Sequence, residues 1–540
     1  MAKQNSNEPT IYWIDDFVGM IQRQNTDKIP LNASPLLKNI SLDKPGSWIK
    51  RKGSDLLAST QAGAGVYGLI EYVPYASTPK LRAIRTRDLD TYDTGTDLYT
   101  EIDNDQFTAA TKVQSNNFLN RVYHVSTADY LCYESGGTCT DVGAGGNEIR
   151  GNSIAVAQNT LFVGGVTYIG TTGAVSQQDR VYYSFFNNSG NTPSHQLYDN
   201  ETGSNTMATS TRWFTVLSPV KALFSFGNTN LVYVFTSNEC YSFDMGLENN
   251  AVGPKKVFDI GIASADAVCQ INGWMIWMSP DCRLWAYNGY STPQPISWDL
   301  EDEANAQSVI STIDKTKIDE IALGALGNIF TVSIGDVSYH GTSVSNAVLV
   351  GLMTQNLSNI LWSLWSLPVK PYKFTVATFS GTKSLVFGAL GVDDVYRLNT
   401  GTNDGSTAVS SFARTRFIDH GTPLNTHEAS QVLIKFRPQS ADSTYLRVGY
   451  AIDGNEVYTY ITDPDGGTSI TEYGKIDMYE SDYSTNQDKL MMVNMPGSVK
   501  YRSISIEVAN VQAGESFEVS GIGIVYRTLP ILDLTFDMDV

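Results

Sequence analysis

Apolar and polar residues alternate in short runs along most of this chain, and the runs are punctuated by turns. From residue 66 onward, stretches such as VYGLIEYV (66–73), TLFVGGVTYI (160–169), RVYYSFF (180–186), LVYVFTSNECYSF (231–243) and INGWMIWMSPDCRLWAY (271–287) each end in a polar or glycine-containing turn. The runs are four to eight residues long and rich in Val, Ile, Tyr, Phe and Trp. That length and composition fit a pleated, half-buried strand and not a helical face.

Three stretches share one grammar. An apolar strand, a short polar turn and a second strand ending in an aromatic or apolar residue occur at 231–235 and 240–243, at 274–278 and 284–287, and at 385–387 and 395–398. Recurrence at roughly 40–50 residues, with several strands per unit, is the signature of propeller blades. About seven such units fit between residues 60 and 402. A blade cannot bury both faces of its sheet alone, so the ring must close, and residues 11–14 are a candidate closing strand. Residues 187–212, rich in Asn, Ser, Thr and Gly, read as a surface loop. Residues 299–320 have acidic residues and spacing compatible with one short helix.

Turn residues at 401–405 (GTNDG) mark a boundary. Beyond it VLIKFRP (432–438), YLRVGYAI (445–452), VYTYI (457–461), YRSISIEVA (501–509) and FEVSGIGIVYR (517–527) alternate to give about six strands, as in a β-sandwich. Asp453-Gly454 predicts a type I′ hairpin turn. Residues 529–540 are apolar and acidic by turns, the pattern of an edge strand offered to a neighbour. The expected fold class is all-β: a strap (1–60), a β-propeller of about seven blades (61–402) and a β-sandwich (403–540).

Composition supports that class and narrows function. The chain has 540 residues, 42% hydrophobic and only 17% charged, with 29 Tyr and 45 Gly. This supports sizeable β-rich cores and more than one domain. The net charge of −19 lacks the basic footprint of a protein that grips nucleic acid. It suits a soluble assembly component, and also a surface along which DNA slides without sticking. No apolar run reaches the ~18 residues of a membrane helix, and MAKQNSNEPT lacks the basic start and apolar core of a signal peptide. The expected site of synthesis is the cytoplasm.

Candidate chemistry is sparse. Cys132, Cys139, Cys240, Cys269 and Cys282 contain no CxxC pair, and Cys132 and Cys139 flank a glycine turn as an expected reduced pair. Of His124, His195, His340, His420 and His427, the last two are seven apart beside Asp419. Exposed loop positions are the simpler reading, because a metal site needs a tighter set of three or four ligands. DPDGG at 463–467 lacks the alternating ligands and terminal Glu of a calcium loop and reads as a turn. Residues 299–303 (DLEDE) hold enough carboxylates for a glycosidase pair, with a solvated, capped helix start as the plainer account. Trp274, Trp277, Trp285, Trp362 and Trp365 could stack on sugars but sit inside alternating runs, as packing residues do. In the Trp-Ser-Leu-Trp step at 362–365 the spacing places one ring near the surface. HExxH, GxSxG and Walker patterns are absent. No catalytic, cofactor-binding or metal residue is nominated.

The most individual segment is IPLNASPLLKNISLDKPGSWIKRKGSDLL (29–57), which reads as a strap with an apolar anchor and a basic patch, Lys50-Arg51-Lys52-Gly53. With the strand–turn–strand repeats at 231–243 and 274–287, the Trp-Ser-Leu-Trp step, the Val-Tyr-Arg-Leu step at 395–398 and FARTRFIDHGTP beginning at 412, this order resembles the virion propeller proteins of tailed bacteriophages. Lys52 stands where many of those relatives have Pro. The resemblance implies a non-enzymatic structural part of the virion at the tail nozzle, neck or tail hub. Its implied partners are other copies of itself in a ring, neighbouring neck or tail adaptor and fibre proteins, and genomic DNA passing without sequence-specific contact. The alternative is a glycan-binding or glycan-cleaving propeller. A peptide-binding scaffold of the eukaryotic repeat type fits less well, since the units lack the His and Trp-Asp steps of that class.

Overall fold

In the computed structural model, described for residues 8–529 except 24–28, 58–64, 75–77, 94–95, 97, 119, 135–136, 143–146, 159, 171–172, 185–212, 228, 230, 245–251, 302–307, 354–356, 358–359, 439–445, 462–488, 512 and 515, the alternating runs form antiparallel strands. Six small sheets stand in a ring, making a β-propeller of six blades. Blade 1 runs from Val66–Tyr72 to Leu98–Asp103, and blade 2 from Val113–Phe118 to Cys139–Asp141. Blade 3 spans Asn147–Arg150 to Trp213–Thr215, and blade 4 spans Ala222–Phe226 to Val252–Phe258. Blade 5 covers Val268–Ile271 to Gln294–Pro295, and blade 6 is built on Pro371–Phe379, Thr382–Ala389 and Val395–Leu398. The three strand–turn–strand repeats are hairpins in blades 4, 5 and 6.

The count of about seven is corrected to six because one set of blade-like strands does not end as a blade. Ala322–Leu326, Ile329–Tyr339, Thr342–Met353 and Ile360–Ser366 are one end of a nine-stranded sheet. Its first strand packs between the first strands of blades 5 and 6. Its far end continues through Leu37–Lys38 into Ser411–Arg414, Ile504–Asn510, Arg447–Ile452 and Thr459–Tyr460. Unit spacing along the chain cannot reveal such an extension, because the added strands come from both termini. The ring closes where Val66–Tyr72 of blade 1 packs on Pro371–Phe379 of blade 6. Separate apolar clusters fill the wedges between blades 2 and 3, 3 and 4, and 6 and 1.

Closure does not use residues 11–14. Thr10–Asp15 instead pairs with Phe517–Thr528, in a second C-terminal sheet that also holds Ile40–Ser41, Trp48–Lys50, His427–Pro438 and Lys489–Tyr501. The strand that completes blade 6 is Ser54–Leu57, paired with Val395–Leu398. Ser54–Leu57 stands eight residues before blade 1 in the chain, so the last blade is latched by chain that precedes the first. Residues 299–320 form three short 3₁₀ turns among the described residues, Trp298–Leu300, Ile310–Thr312 and Lys315–Glu320, in place of the expected helix. The β-branched and Ser/Thr residues there favour turns, and the Asp314 side chain accepts a bond from Thr316 N. The Asp453-Gly454 turn has positive φ at both residues, +53° and +77°, as type I′ requires.

The strap holds these parts together. Phe17 stacks on Trp48 at 3.8 Å, and Ile14, Met20, Leu36, Leu37 and Ile40 enter a cluster shared with blades 4 and 5 and both C-terminal sheets. Two of the three cations of the basic patch are buried while Lys52 is exposed: Arg51 is 1% exposed and Lys50 2%, and Lys50 Nζ donates to Asn510 Oδ1 at 2.8 Å. Arg51 satisfies all five of its donors. Nε reaches Asn39 Oδ1 (2.8 Å), Nη1 reaches Lys52 O and Asp404 Oδ1 (both 2.9 Å), and Nη2 reaches Ser366 O (2.8 Å) and Asp404 Oδ2 (2.5 Å). Gly53 is required beside it, since a Cβ there would lie 1.7 Å from Asn403 O. Residues 401–405 are therefore pinned against the strap.

Replacing Arg51 with Met should destabilise the protein by about 3–5 kcal/mol, because it leaves the Asp404 carboxylate buried without its partner. Urea unfolding monitored by tryptophan fluorescence measures this. A loss under about 1 kcal/mol would show that the joint is not holding the parts together.

Candidate functional site

Three places in the structure bring functional groups together, and the first joins blades across the middle of the ring. Asp266 precedes the first strand of blade 5, Lys112 precedes that of blade 2, and Lys373 lies in that of blade 6. Blades 2 and 5 are not neighbours, so side chains that join them must meet across the middle of the ring. Asp266 pairs with Lys112 at 3.1 Å and Lys373 at 3.0 Å, and accepts from Gln114 Nε2 at 3.1 Å. Lys373 Nζ also donates to Val113 O (2.8 Å), and Lys112 Nζ donates to Asp319 O (2.9 Å) and lies 4.2 Å from the Tyr372 ring. Lys221, entering blade 4, pairs with Asp319 at 2.9 Å.

Burial alone would raise the Asp266 carboxyl, but the ammonium groups of Lys373 and Lys112 outweigh it and hold its pKa at about 2. Burial pushes the Lys373 ammonium down, against the pull of Asp266. Close by, His124 is fully buried with Nδ1 2.9 Å from Ser115 Oγ, and burial with the charges of Arg82 and Lys373 lowers its pKa to about 3. It is a neutral packing residue. The ion-paired network ties blades 2, 5 and 6 together across the ring.

The second place, in the second C-terminal sheet, corrects the reading of His427 as an exposed loop residue, while His420 does lie in a turn but is half-buried there. His427 is buried and lies on His427–Pro438, not on a loop. His420 stacks on Tyr526 at 3.7 Å, meets His427 at 4.9 Å and Tyr12 at 5.0 Å, and has Nε2 2.9 Å from Tyr501 OH. Burial, then the neighbouring His427, lowers the His420 pKa to about 4. Strand pairing of Thr10–Asp15 with Phe517–Thr528 delivers Tyr12 to this stack, so the imidazoles act as aromatic packing pieces. No group of three or more His, Cys, Asp or Glu suited to a metal is found among the described residues.

The third is a groove of about 620 Å³ between blades 4 and 5, lined by Tyr233, Asp244, Lys255, Phe258, Tyr287 and Tyr290. Tyr290 is 80% exposed at its rim. This groove was not legible in the sequence, since it needs two blades side by side.

The remaining nominated residues disperse. Asp299 pairs with Arg23 (3.3 Å), while Glu301 pairs with Arg283 (3.4 Å) and accepts from Ser297 Oγ (2.6 Å), so these two carboxylates answer to different partners. Trp277, Trp362 and Trp365 are buried, and Trp274 and Trp285 are half-buried. The expectation that one ring of the 362–365 step is near the surface fails. Ile360–Ser366 is an interior strand covered by the strap, and Trp365 Nε1 donates to Ile40 O at 3.0 Å. His340 faces Glu456 at 3.4 Å. All five cysteines are free thiols. His195 and the 463–467 turn lie outside the described residues, as does the 187–212 loop. No protein-family model matches the chain, and no curated protein matches it.

Because Asp266 titrates lower in the folded protein than its ordinary value of 3.8, the unfolded chain takes up its proton first on acidification. Its contribution to stability is present above about pH 4 and is lost as pH falls through about 2. Denaturant midpoints measured from pH 6 to pH 2 should therefore fall steeply at the acid end. Asp266→Asn should be less stable at pH 6 and show a shallower fall. An unchanged acid slope in the variant would show that the Asp266 network does not bear on stability.

Proposed function

We propose that this chain is a structural protein of a tailed-bacteriophage virion, a ring-forming component of the tail nozzle, neck or hub that acts by surface complementarity. The observation that carries the reading concerns the segment most like those proteins, residues 29–57. It is the keystone of the fold, running through blade 6, the nine-stranded sheet and the second C-terminal sheet, with Arg51 and Gly53 at the joint. A segment so constrained holds its sequence order for a structural reason, which gives weight to a likeness found there.

On this reading the two C-terminal sheets act as a β-sandwich. They share one apolar cluster that includes Val432, Ile434, Ile506, Val508, Phe517 and Ile522, and they dock a neighbouring adaptor or fibre protein. The genome passes through a channel formed by a ring of copies. The ion pairs of Asp266 with Lys112 and Lys373, which join blades across the ring, support a path outside the propeller's own axis. Net charge −19 suits a wall that DNA slides along. The protein is made in the host cytoplasm and ends in the tail. Mass spectrometry of particles purified from the phage that encodes this chain should find it in several copies per virion. Its absence from the particles ends the proposal.

The groove between blades 4 and 5 favours a second reading, glycan binding, because the exposed ring of Tyr290 stands beside the hydrogen-bonding groups of Asp244 and Lys255. If that holds, purified protein should bind oligosaccharides in an array, and Tyr290→Ala should weaken the best hit by about tenfold. An array without a saturable hit removes this reading.

A further inference from the structure

The groove between blades 4 and 5 is walled by side chains whose places the sheet registers fix. Tyr233 lies opposite Ser242, and Ser242 opposite Lys255, so these three share one face of blade 4. That face looks onto blade 5, because the Tyr233 ring meets Tyr287 edge-on at 5.9 Å and Tyr287 meets Phe258 at 5.4 Å. The row begins on a buried aromatic floor and ends at Lys255, exposed in the groove wall on the outermost strand of blade 4.

The facing rim is held as firmly. Tyr290 stands in the turn after Leu284–Tyr287, where the Asn288 side chain accepts from Tyr290 N at 3.0 Å, Ser291 N at 2.9 Å and Ser291 Oγ at 2.9 Å. Gly289, with φ of +94°, lets this turn approach blade 4, since a Cβ there would lie 2.4 Å from Thr229 Cγ2. A ring 80% exposed on so constrained a backbone is a stacking platform set in place before a ligand arrives, which spares the entropy of ordering it. The volume of about 620 Å³ falls within the roughly 300–1,000 Å³ of small-ligand sites.

Charge decides which ligand suits this frame. Asp244, Lys255 and Lys256 are the charged side chains of the lining. Asp244 Oδ1 accepts from Gln158 Nε2 of blade 3 at 3.0 Å, and Lys256 pairs with Glu239 at 2.6 Å and with Asp259. Lys255 makes no hydrogen bond or ion pair among the described residues, in a chain whose net charge is −19. An uncommitted ammonium across from a stacking ring is complementary to a sugar that carries a carboxylate. We infer that the groove takes an acidic saccharide, a uronate- or sialate-type unit whose ring lies on Tyr290 and whose carboxylate pairs with Lys255. Ser242 and Asp244 stand beside Lys255 to meet the sugar hydroxyls. Nucleic acid, a polyanion, is disfavoured by the charge of the whole chain, whereas one carboxylate needs only one local cation. The inference rests on the glycan-binding reading of this groove and names the class of glycan.

The full chain is tested on an array of uronate- and sialate-bearing oligosaccharides, their carboxyl methyl esters and neutral oligosaccharides, with calorimetry on the hits. The acidic forms should bind about five- to tenfold more tightly than their esters. Lys255→Gln should bring the acidic form down to the level of its ester, and Tyr290→Ala should weaken both. Melting temperatures of the two variants check that the fold is kept. Added salt should weaken the acidic form selectively. Equal binding of acids and esters, or an acid preference that survives Lys255→Gln, overturns the inference and leaves glycan binding standing. Hits confined to neutral oligosaccharides do the same. An array without any saturable hit removes the glycan reading and this inference with it.

Discussion

Arg51 is one guanidinium on which three parts of the molecule depend. Its five donors end on the strap itself, on Ser366 of the nine-stranded sheet and on Asp404 beyond blade 6. Arginine suits this place because its planar fork can face a carboxylate bidentately while its remaining N–H groups point at carbonyls, which an ammonium cannot do. The burial cost of the charge is offset only while every partner stays in place, so the joint tolerates one arrangement. Asn39 supports it twice, accepting from Arg51 Nε and from Ser366 N at 2.7 Å while donating to Ser410 O at 2.7 Å. Its φ of +55° is a conformation that Asn adopts more readily than most residues.

This joint changes what kind of object the propeller is. A ring latched only by its own first and last blades could open at one seam. Here the latch strand Ser54–Leu57 is continuous with chain that has already crossed both C-terminal sheets. Opening the ring would therefore also disturb the unit beyond it. The Asp266 network adds a second constraint across the middle, joining blades 2, 5 and 6.

The charge balance follows from the same economy. Several cations are buried against partners: Arg82 on Glu134, Arg85 on Asp90, Arg414 on Glu507 and Lys373 on Asp266. These pairs cancel inside, so the excess of acidic residues lies toward solvent. A surface of this sign discourages tight contact with phosphate backbones.

Strand content, the hairpins of blades 4, 5 and 6 and the type I′ turn at Asp453-Gly454 were written in the sequence, because each depends on residues within a few positions of one another. Period-2 alternation and turn residues set such features without reference to the rest of the chain. The role of Ser54–Leu57, the six-blade count, the burial of both Trp362 and Trp365 and the pairing of Asp266 with Lys112 and Lys373 were decided only by the tertiary structure. Each joins residues separated by a hundred or more positions, or depends on a strand being covered on both faces. His420 and His427 looked exposed because polar neighbours surround them in sequence, whereas in space Tyr12, Tyr501 and Tyr526 pack around them, and His427 begins a strand. Local pattern determines which segments become strands; the order in which strands from distant parts of the chain share a sheet is set by packing, which no single segment encodes.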